Sequence, residues 1–77
     1  MRDLPTDDGW IIDRRRHIGG RIRAERLRQS LTQDEVYLAA GISRWTLQRV
    51  EAGEDVQLST LLRIACVLDI PLRDLVG

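Results

Sequence analysis

The sequence predicts an all-α domain, a compact bundle of five short helices, and three observations carry that expectation. Apolar residues recur at helical spacing, as at Leu61, Ile64, Ala65 and Leu68. No stretch sustains apolar and polar alternation over five residues, so the strand signature is missing. Residues that start and stop helices, among them Thr32, Gly41, Ser43 and Pro71, punctuate the chain at short intervals.

Residues 1–13 mix Pro5, Asp7, Asp8 and Gly9 ahead of Trp10, Ile11 and Ile12 without helical periodicity, and read as a mobile N-terminal arm with Trp10 to Ile12 as its anchor. Residues 14–77 form the domain. A first helix is expected from about His17 to Gln29, with Ile18, Ile22 and Leu27 on its apolar stripe. Gly19 and Gly20 either fray its start or admit another backbone. Thr32-Gln33-Asp34-Glu35 has the spacing of a capping box and opens a second helix that stops at Gly41. Ser43 caps a third helix running to about Glu51. Ser59 or Thr60 opens a fourth, with Cys66 in or near the core, and Pro71 occupies the first position of a fifth that runs through Leu75.

All twelve basic residues of this 77-residue chain are arginines, and they balance twelve acids. Net charge therefore points to no partner, but its distribution does. Residues 14–49 hold nine arginines against Glu25, Asp34 and Glu35, a net of +6 between two acidic ends. That asymmetry is suited to a polyanion. The length excludes a two-domain enzyme. Glycine loops for phosphate, nucleophile and base pairs, and metal-ligand spacings are missing, so neither catalysis nor a metal or other cofactor is expected. One cysteine forms no internal disulfide, and no apolar run is long enough for a membrane span or a signal peptide. A cytoplasmic protein, nucleoid-associated when bound to DNA, is the expectation.

The segment from Gln33 to Glu51 is the most informative. Val36, Ala40, Ile42, Leu47 and Val50 supply its apolar positions, leaving Arg44, Trp45, Gln48 and Arg49 on the outer face of the third helix. Two helices joined by a tight turn and ending in long polar arms match the helix-turn-helix arrangement that reads DNA. Arginine presents a fork complementary to guanine O6 and N7, and glutamine pairs similarly with adenine.

From about residue 18 to 76 the sequence resembles the phage-repressor and Cro type of helix-turn-helix domain, the xenobiotic-response-element class. The likeness rests on Ile22-Arg23 with Arg26, Leu31-Thr32-Gln33, Ala40-Gly41-Ile42-Ser43, Thr46 through Glu51, Gly53, and Leu61 through Ala65 with Leu68, Pro71 and Leu75. It implies a repressor-like bundle in which Ser43, Arg44, Trp45 and Arg49, joined by Gln48, face bases. Thr32, Gln33, Thr46 and Ser59 are the corresponding phosphate contacts, with Gln33 also bracing the base readers. The resemblance further implies a structural ion pair between Arg26 and Glu51. Three departures stand out: Tyr37 where the family usually has alanine, apolar Leu38 and Ala39 at normally charged positions, and the acidic loop Glu54-Asp55-Val56.

The expected function is a sequence-specific regulator of transcription, a repressor that docks its third helix in the major groove of a palindromic operator. It would act as a homodimer through the C-terminal helix, with Leu72, Leu75 and Val76 partly exposed in the monomer. Arg14, Arg15 and Arg16 are either a basic arm on DNA or a solvated charge run at the start of the first helix. The alternative is a protein-interaction module, an adaptor or antitoxin-like partner that keeps the fold and binds protein through Tyr37, Leu38 and Trp45.

Overall fold

Residues 3–77, described by a computed structural model, form five helices: α1 (Gly9–Arg28), α2 (Gln33–Ala40), α3 (Arg44–Glu51), α4 (Leu58–Leu68) and α5 (Leu72–Val76). No strand occurs among the described residues. Residues 1 and 2 of the expected arm lie outside the described residues. Each helix contributes to one core, built from Ile22 of α1, Val36 and Ala40 of α2, Leu47 and Val50 of α3, Ile64, Ala65 and Leu68 of α4, and Leu75 of α5. Burying these side chains supplies the main driving force that holds such short helices, since isolated segments of this length are marginal in water.

Helix α1 starts eight residues before the expected His17, so residues 9–13, assigned by sequence to the arm, are helical. The Asp7 carboxylate accepts the Gly9 amide at 2.8 Å, and the Asp8 carbonyl accepts those of Ile11 and Ile12. The added turns are then tied to the rest of the molecule. Arg14 Nη2 donates to the Val76 carbonyl at 2.6 Å, and Arg15 Nε donates to that of Gly53 at 3.2 Å. Leu27, placed by sequence on the apolar stripe, is half exposed, while Arg26 is buried. The geometry explains the exchange: Arg26 lies four residues from Ile22, about 40° around the helix, whereas Leu27 lies about 140° away.

Gly19 is buried where α1 crosses the end of α3. A Cβ there would overlap the Val50 carbonyl oxygen and sit 3.0 Å from that of Glu51. Of the two readings of the Gly19-Gly20 pair, close backbone approach therefore applies to Gly19, whereas Gly20 faces open space.

Next to this crossing the Glu51 carboxylate takes a bidentate pair from Arg26, at 2.8 Å from Nε and 3.1 Å from Nη2. Arg26 Nη1 donates to the Leu31 carbonyl at 2.9 Å. The two side chains are only 9% and 5% exposed. The hydrogen bonds it donates to Glu51 raise the Arg26 pKa, which keeps the guanidinium charged despite its burial. The pair thus joins α1, the loop before α2, and the end of α3.

The capping box at the start of α2 is present in both directions: Thr32 Oγ1 accepts the Glu35 amide at 3.1 Å, and Glu35 Oε1 accepts the Thr32 amide at 3.0 Å. Gly41 closes α2 at φ +70°, a left-handed conformation that glycine adopts without steric cost. Helix α4 begins at Leu58, ahead of the expected Ser59 or Thr60, with Gln57 as its capping residue. Pro71 precedes α5 instead of occupying its first position, and its carbonyl accepts the Asp74 amide.

Two further expectations are corrected here. Cys66 is exposed, because two residues beyond Ile64 is the opposite side of α4. Leu75 is buried, at 1% exposure, because α5 docks it against α1 and α4, so only Leu72 and Val76 remain half-buried on that helix.

Among the described residues, no helix is long and apolar enough to cross a membrane, and no three His, Cys, Asp or Glu side chains gather as a metal site would require.

Gly19→Ala is expected to lower stability by about 1 to 3 kcal/mol through overpacking, while Gly20→Ala, one residue away, holds or gains up to about 1 kcal/mol. Urea titrations of the two variants distinguish these signs, and equal effects would refute the crossing contact. Glu51→Ala strands a buried guanidinium and is expected to cost about 3 to 5 kcal/mol, a large share of the stability of so small a domain. A thermal melt matching that of the parent protein would contradict the structural role given to the pair.

Candidate nucleic-acid interface

The short turn between α2 and α3 fixes which side of α3 faces outward. Ile42 and the buried Leu47 and Val50 hold one side of α3 on the core, leaving Arg44, Trp45 and Gln48 exposed and Arg49 half-buried beside them. Ser43 starts the helix: its Oγ accepts the Thr46 amide at 3.0 Å and lies 2.8 Å from Thr46 Oγ1. Ser43 and Thr46 thereby satisfy each other while remaining at the exposed N-terminal end of α3.

The two long basic side chains of α3 are held by neighbours. Arg44 Nη2 meets Asp34 Oδ1 at 3.1 Å and the Tyr37 hydroxyl at 3.5 Å, and its guanidinium carbon lies 5.7 Å from the Tyr37 ring centroid. The Tyr37 hydroxyl and the Asp34 charge raise the Arg44 pKa, so its positive charge is secure. Arg49 lies over the Trp45 ring at 4.6 Å, close enough for cation–π attraction, and its Nε is 3.5 Å from Glu54 Oε1. Trp45 itself is 64% exposed. Tyr37 is half-buried against the core, with its hydroxyl reaching Arg44.

The residues assigned to phosphate lie at helix starts, where free backbone amides favour anions. Thr32 caps α2, Gln33 is its first residue, Thr46 is in the first turn of α3, and the exposed Ser59 is in the first turn of α4. Gln33 carries a second contact: its Nε2 lies 3.4 Å from Glu51 Oε1, so the residue at the start of α2 touches the buried ion pair. Ser59 Oγ donates to Gln57 Oε1 at 3.4 Å.

Arg14, Arg15 and Arg16 do not form an arm, because all three belong to α1. Arg14 and Arg15 hold carbonyls of α5 and of the loop after α3, while the backbone of Arg16 packs against Gly53. The alternative of a merely solvated run also falls short for Arg14 and Arg15, whose guanidiniums are engaged within the molecule.

Sequence reading missed the partners of the two α3 arginines, Asp34, Tyr37 and Glu54. The Asp34 and Arg44 pair spans ten residues across the turn, beyond any within-helix spacing rule. Glu54 had a usable signal, since it lies five residues past Arg49, just beyond the helix end. Glu51 was found through its resemblance-based pairing.

The arrangement of a buried ion pair, a glycine turn and an exposed α3 face agrees with comparison to known proteins. A helix-turn-helix family model matches residues 22–75, which is most of the chain. This chain belongs to the helix-turn-helix family, Cro/C1 type. That family is one of DNA-binding regulators of transcription and not of enzymes, and this member is a DNA-binding regulator.

Among solved structures, this helix-turn-helix protein is similar to the restriction-modification controller protein C.AhdI from Aeromonas hydrophila. The identity is 29% and the TM-score 0.75, over 87% of this chain and 97% of that one. It also shares its fold with the clp gene regulator ClgR from C. glutamicum, at 24% identity and a TM-score of 0.74 over 80% and 82% of the two chains. No curated protein sequence matches the chain.

In a Trp10→Phe background Trp45 is the single indole, and its exposed ring is expected to be readily quenched by acrylamide. Arg49→Ala uncovers one ring face and raises the quenching constant further. A buried-type emission maximum, or no response to Arg49→Ala, would contradict the stacked geometry.

Proposed function

We propose that this helix-turn-helix protein is a repressor that binds a palindromic operator as a homodimer, with α3 lying in the major groove. The observation that carries the reading is the two-sided character of α3: Leu47 and Val50 are buried, while Arg44, Trp45, Gln48 and Arg49 line the opposite side. Long arms able to pair guanine and adenine edges stand on one solvent-facing surface, and the helix behind them is held by the core. Ser43 joins them at the N-terminal end of α3, and Thr32, Gln33, Thr46 and Ser59 supply the phosphate contacts that set the register. Double-stranded DNA is the partner, no cofactor is needed, and a cytoplasmic protein bound to the nucleoid follows from that role.

The likeness to the restriction-modification controller protein supports a regulatory role for a domain of this size. Dimerisation follows from base-reading economy, because one such domain contacts only a half-site and two-fold pairing doubles the sequence read. Leu72 and Val76 on α5 form the proposed contact surface, with Leu75 committed to the core. The competing protein-interaction reading loses ground because its apolar patch is broken up. Tyr37 is half-buried beside Arg44 and one face of Trp45 is stacked by Arg49, so two of its three residues carry an arginine on their rings, while Trp45 and Leu38 remain exposed.

Selection of bound sites from a random duplex pool at one fixed salt concentration tests the reading, with Arg44→Ala and Arg49→Ala run in parallel. The expected result is an enriched palindrome in which guanines become degenerate in the variants. Affinity for the selected site should fall by about 0.9 log unit per phosphate contact for each log unit of salt. No enrichment, or equal binding by all three proteins only at low salt, would return the search to a protein partner. A monomer by sedimentation, both free and on the palindrome, would remove the dimer.

A further inference from the structure

The two arginines on the outer face of α3 are each met by an acid of the same molecule. Asp34 Oδ1 lies 3.1 Å from Arg44 Nη2 and Glu54 Oε1 lies 3.5 Å from Arg49 Nε, so the charge of this face is balanced where it stands. Asp55, exposed in the loop that follows α3, adds a further negative charge. Attraction of α3 for a polyanion is therefore weak, and the uncompensated positive charge lies elsewhere, on α1.

Among the described residues, Arg16, Arg21 and Arg23 are exposed and none of them belongs to an ion pair. Of the two acids on α1, Glu25 is taken by Arg28 and Gln29, which leaves Asp13 as the free one. Position around the helix separates the three arginines. Gly19 marks the line along which α1 meets the C-terminal end of α3. At about 100° per residue, the buried Ile22 lies about 60° to one side of that line, whereas Arg16 and Arg23 lie about 60° and 40° to the other. Leu47 and Val50 turn the inner face of α3 to the same core as Ile22. Arg16 and Arg23 thus emerge on the side of the crossing that the outer face of α3 also takes. Arg21 lies about 160° from Gly19, in the cleft between α1 and α5 with Ala24, Ile70 and Asp74.

Each of the two has a defined place beside α3. Gly53, buried at φ +83°, lies directly under Arg16, where a Cβ would come within 2.8 Å of Arg16 Cα and Cγ. Arg16 therefore leaves α1 with its stem over the loop after α3. Arg23 lies one turn before Arg26, whose partner Glu51 also meets Gln33, so it stands toward the start of α2. Separated by about 10 Å along α1, the two arginines bracket the C-terminal end of α3.

Charge complementarity names the partner, because a guanidinium with no internal acceptor matches phosphate oxygens and each neutralised phosphate releases counterions. We propose that Arg16 and Arg23 form a second contact surface for the DNA backbone, so that α1 supplies much of the electrostatic affinity while α3 reads bases. The assignment rests on the base-reading role proposed for α3 and goes beyond it. Thr32, Gln33, Thr46 and Ser59 sit at helix starts, whereas this surface is the side of a fixed helix, and it differs equally from a mobile basic arm.

The test uses the full chain, a duplex selected by the parent protein and an unrelated duplex of equal length, with anisotropy titrations over a series of salt concentrations. Each arginine is neutralised with a good helix former: Arg16→Gln, Arg23→Gln, both together, and Arg21→Gln as the charge-matched control on the opposite side. Arg16→Gln and Arg23→Gln are each expected to lower the slope of log affinity against log salt by about 0.9 per bound monomer, and the double variant by about 1.8, on both duplexes. The preferred sequence stays the same, because backbone contacts carry no base information. Arg21→Gln leaves the slope unchanged. Arg16→Lys and Arg23→Lys retain the parent slope, a rescue that loss of a structural contact would not give.

A parent-like slope in the double variant, an equal fall in Arg21→Gln, or lysine variants that behave as the glutamine ones would overturn the α1 surface while leaving base reading by α3 intact. Failure of the parent protein to select any duplex would instead remove the base-reading role, and this proposal with it.

Discussion

The Arg26–Glu51 pair determines how α3 is carried. Glu51 ends α3, Arg26 lies in the last turn of α1, and Leu31 and Gln33 on either side of the α2 start complete the same network. A buried pair of this kind contributes uncertain net stability against an apolar replacement, because both charges had to leave water. Its directional value is clearer. Bidentate geometry accepts one orientation of carboxylate and guanidinium, so α3 docks in one register while the apolar contacts of Leu47 and Val50 alone would tolerate several. Gly19 reinforces the choice by letting the carbonyls of Val50 and Glu51 come against α1.

Around that anchor the sequence uses polar side chains to close the bundle where apolar surface is scarce. Arg14 reaches the end of α5, Arg15 the loop after α3, Gln29 donates to the Leu68 carbonyl at 2.7 Å, and Arg63 lies 3.5 Å from the carbonyl of Ala40. Gln29 and Arg28 also hydrogen-bond Glu25, which brings that carboxyl down to about 2, with Arg28 the larger cause. Helix ends thus have their carbonyls satisfied from neighbouring helices, which removes the cost of leaving them unpaired as the chain turns. Six of the nine arginines in residues 14–49 are thus engaged within the molecule, while Arg16, Arg21 and Arg23 stand exposed on α1.

The α2-to-α3 segment was legible in the sequence because its signals are local. Thr32 and Glu35 cap by spacing, Gly41 ends a helix by its allowed φ, and Ser43 restarts one three residues before the amide it accepts. The stripe of Ile64, Ala65 and Leu68 was legible for the same reason. What was hidden depends on which side of an element meets its neighbour. Arg26 displaced Leu27 from the interior because a distant carboxylate awaited it, and no hydropathy pattern weights an arginine as core. The first turns of α1 bury no residue, with only Ile11 and Arg15 half-buried, so their periodicity is silent. Leu75 sits on a single turn of helix, too short for any period, and its burial is decided by α1 and α4. At the interface, the residue types on α3 were readable, whereas the grip of Asp34 and Tyr37 on Arg44 exists only once the turn has folded.

The crossing at Gly19 also gives α3 an unequal mechanical character. The helix is clamped at its C-terminal end, where Val50 and Glu51 meet α1, and Arg44 stands at the other end, about 10 Å away along the axis. It behaves as a short lever with its fulcrum at the end opposite Arg44. A tilt of about 10° at the crossing would carry the Arg44 backbone by roughly 2 Å, more than the distance range over which a hydrogen bond survives. A side chain as small as a methyl group at residue 19 would therefore act on the far end of α3 without touching it, and the missing Cβ of Gly19 serves as an alignment stop for the whole outer face of that helix.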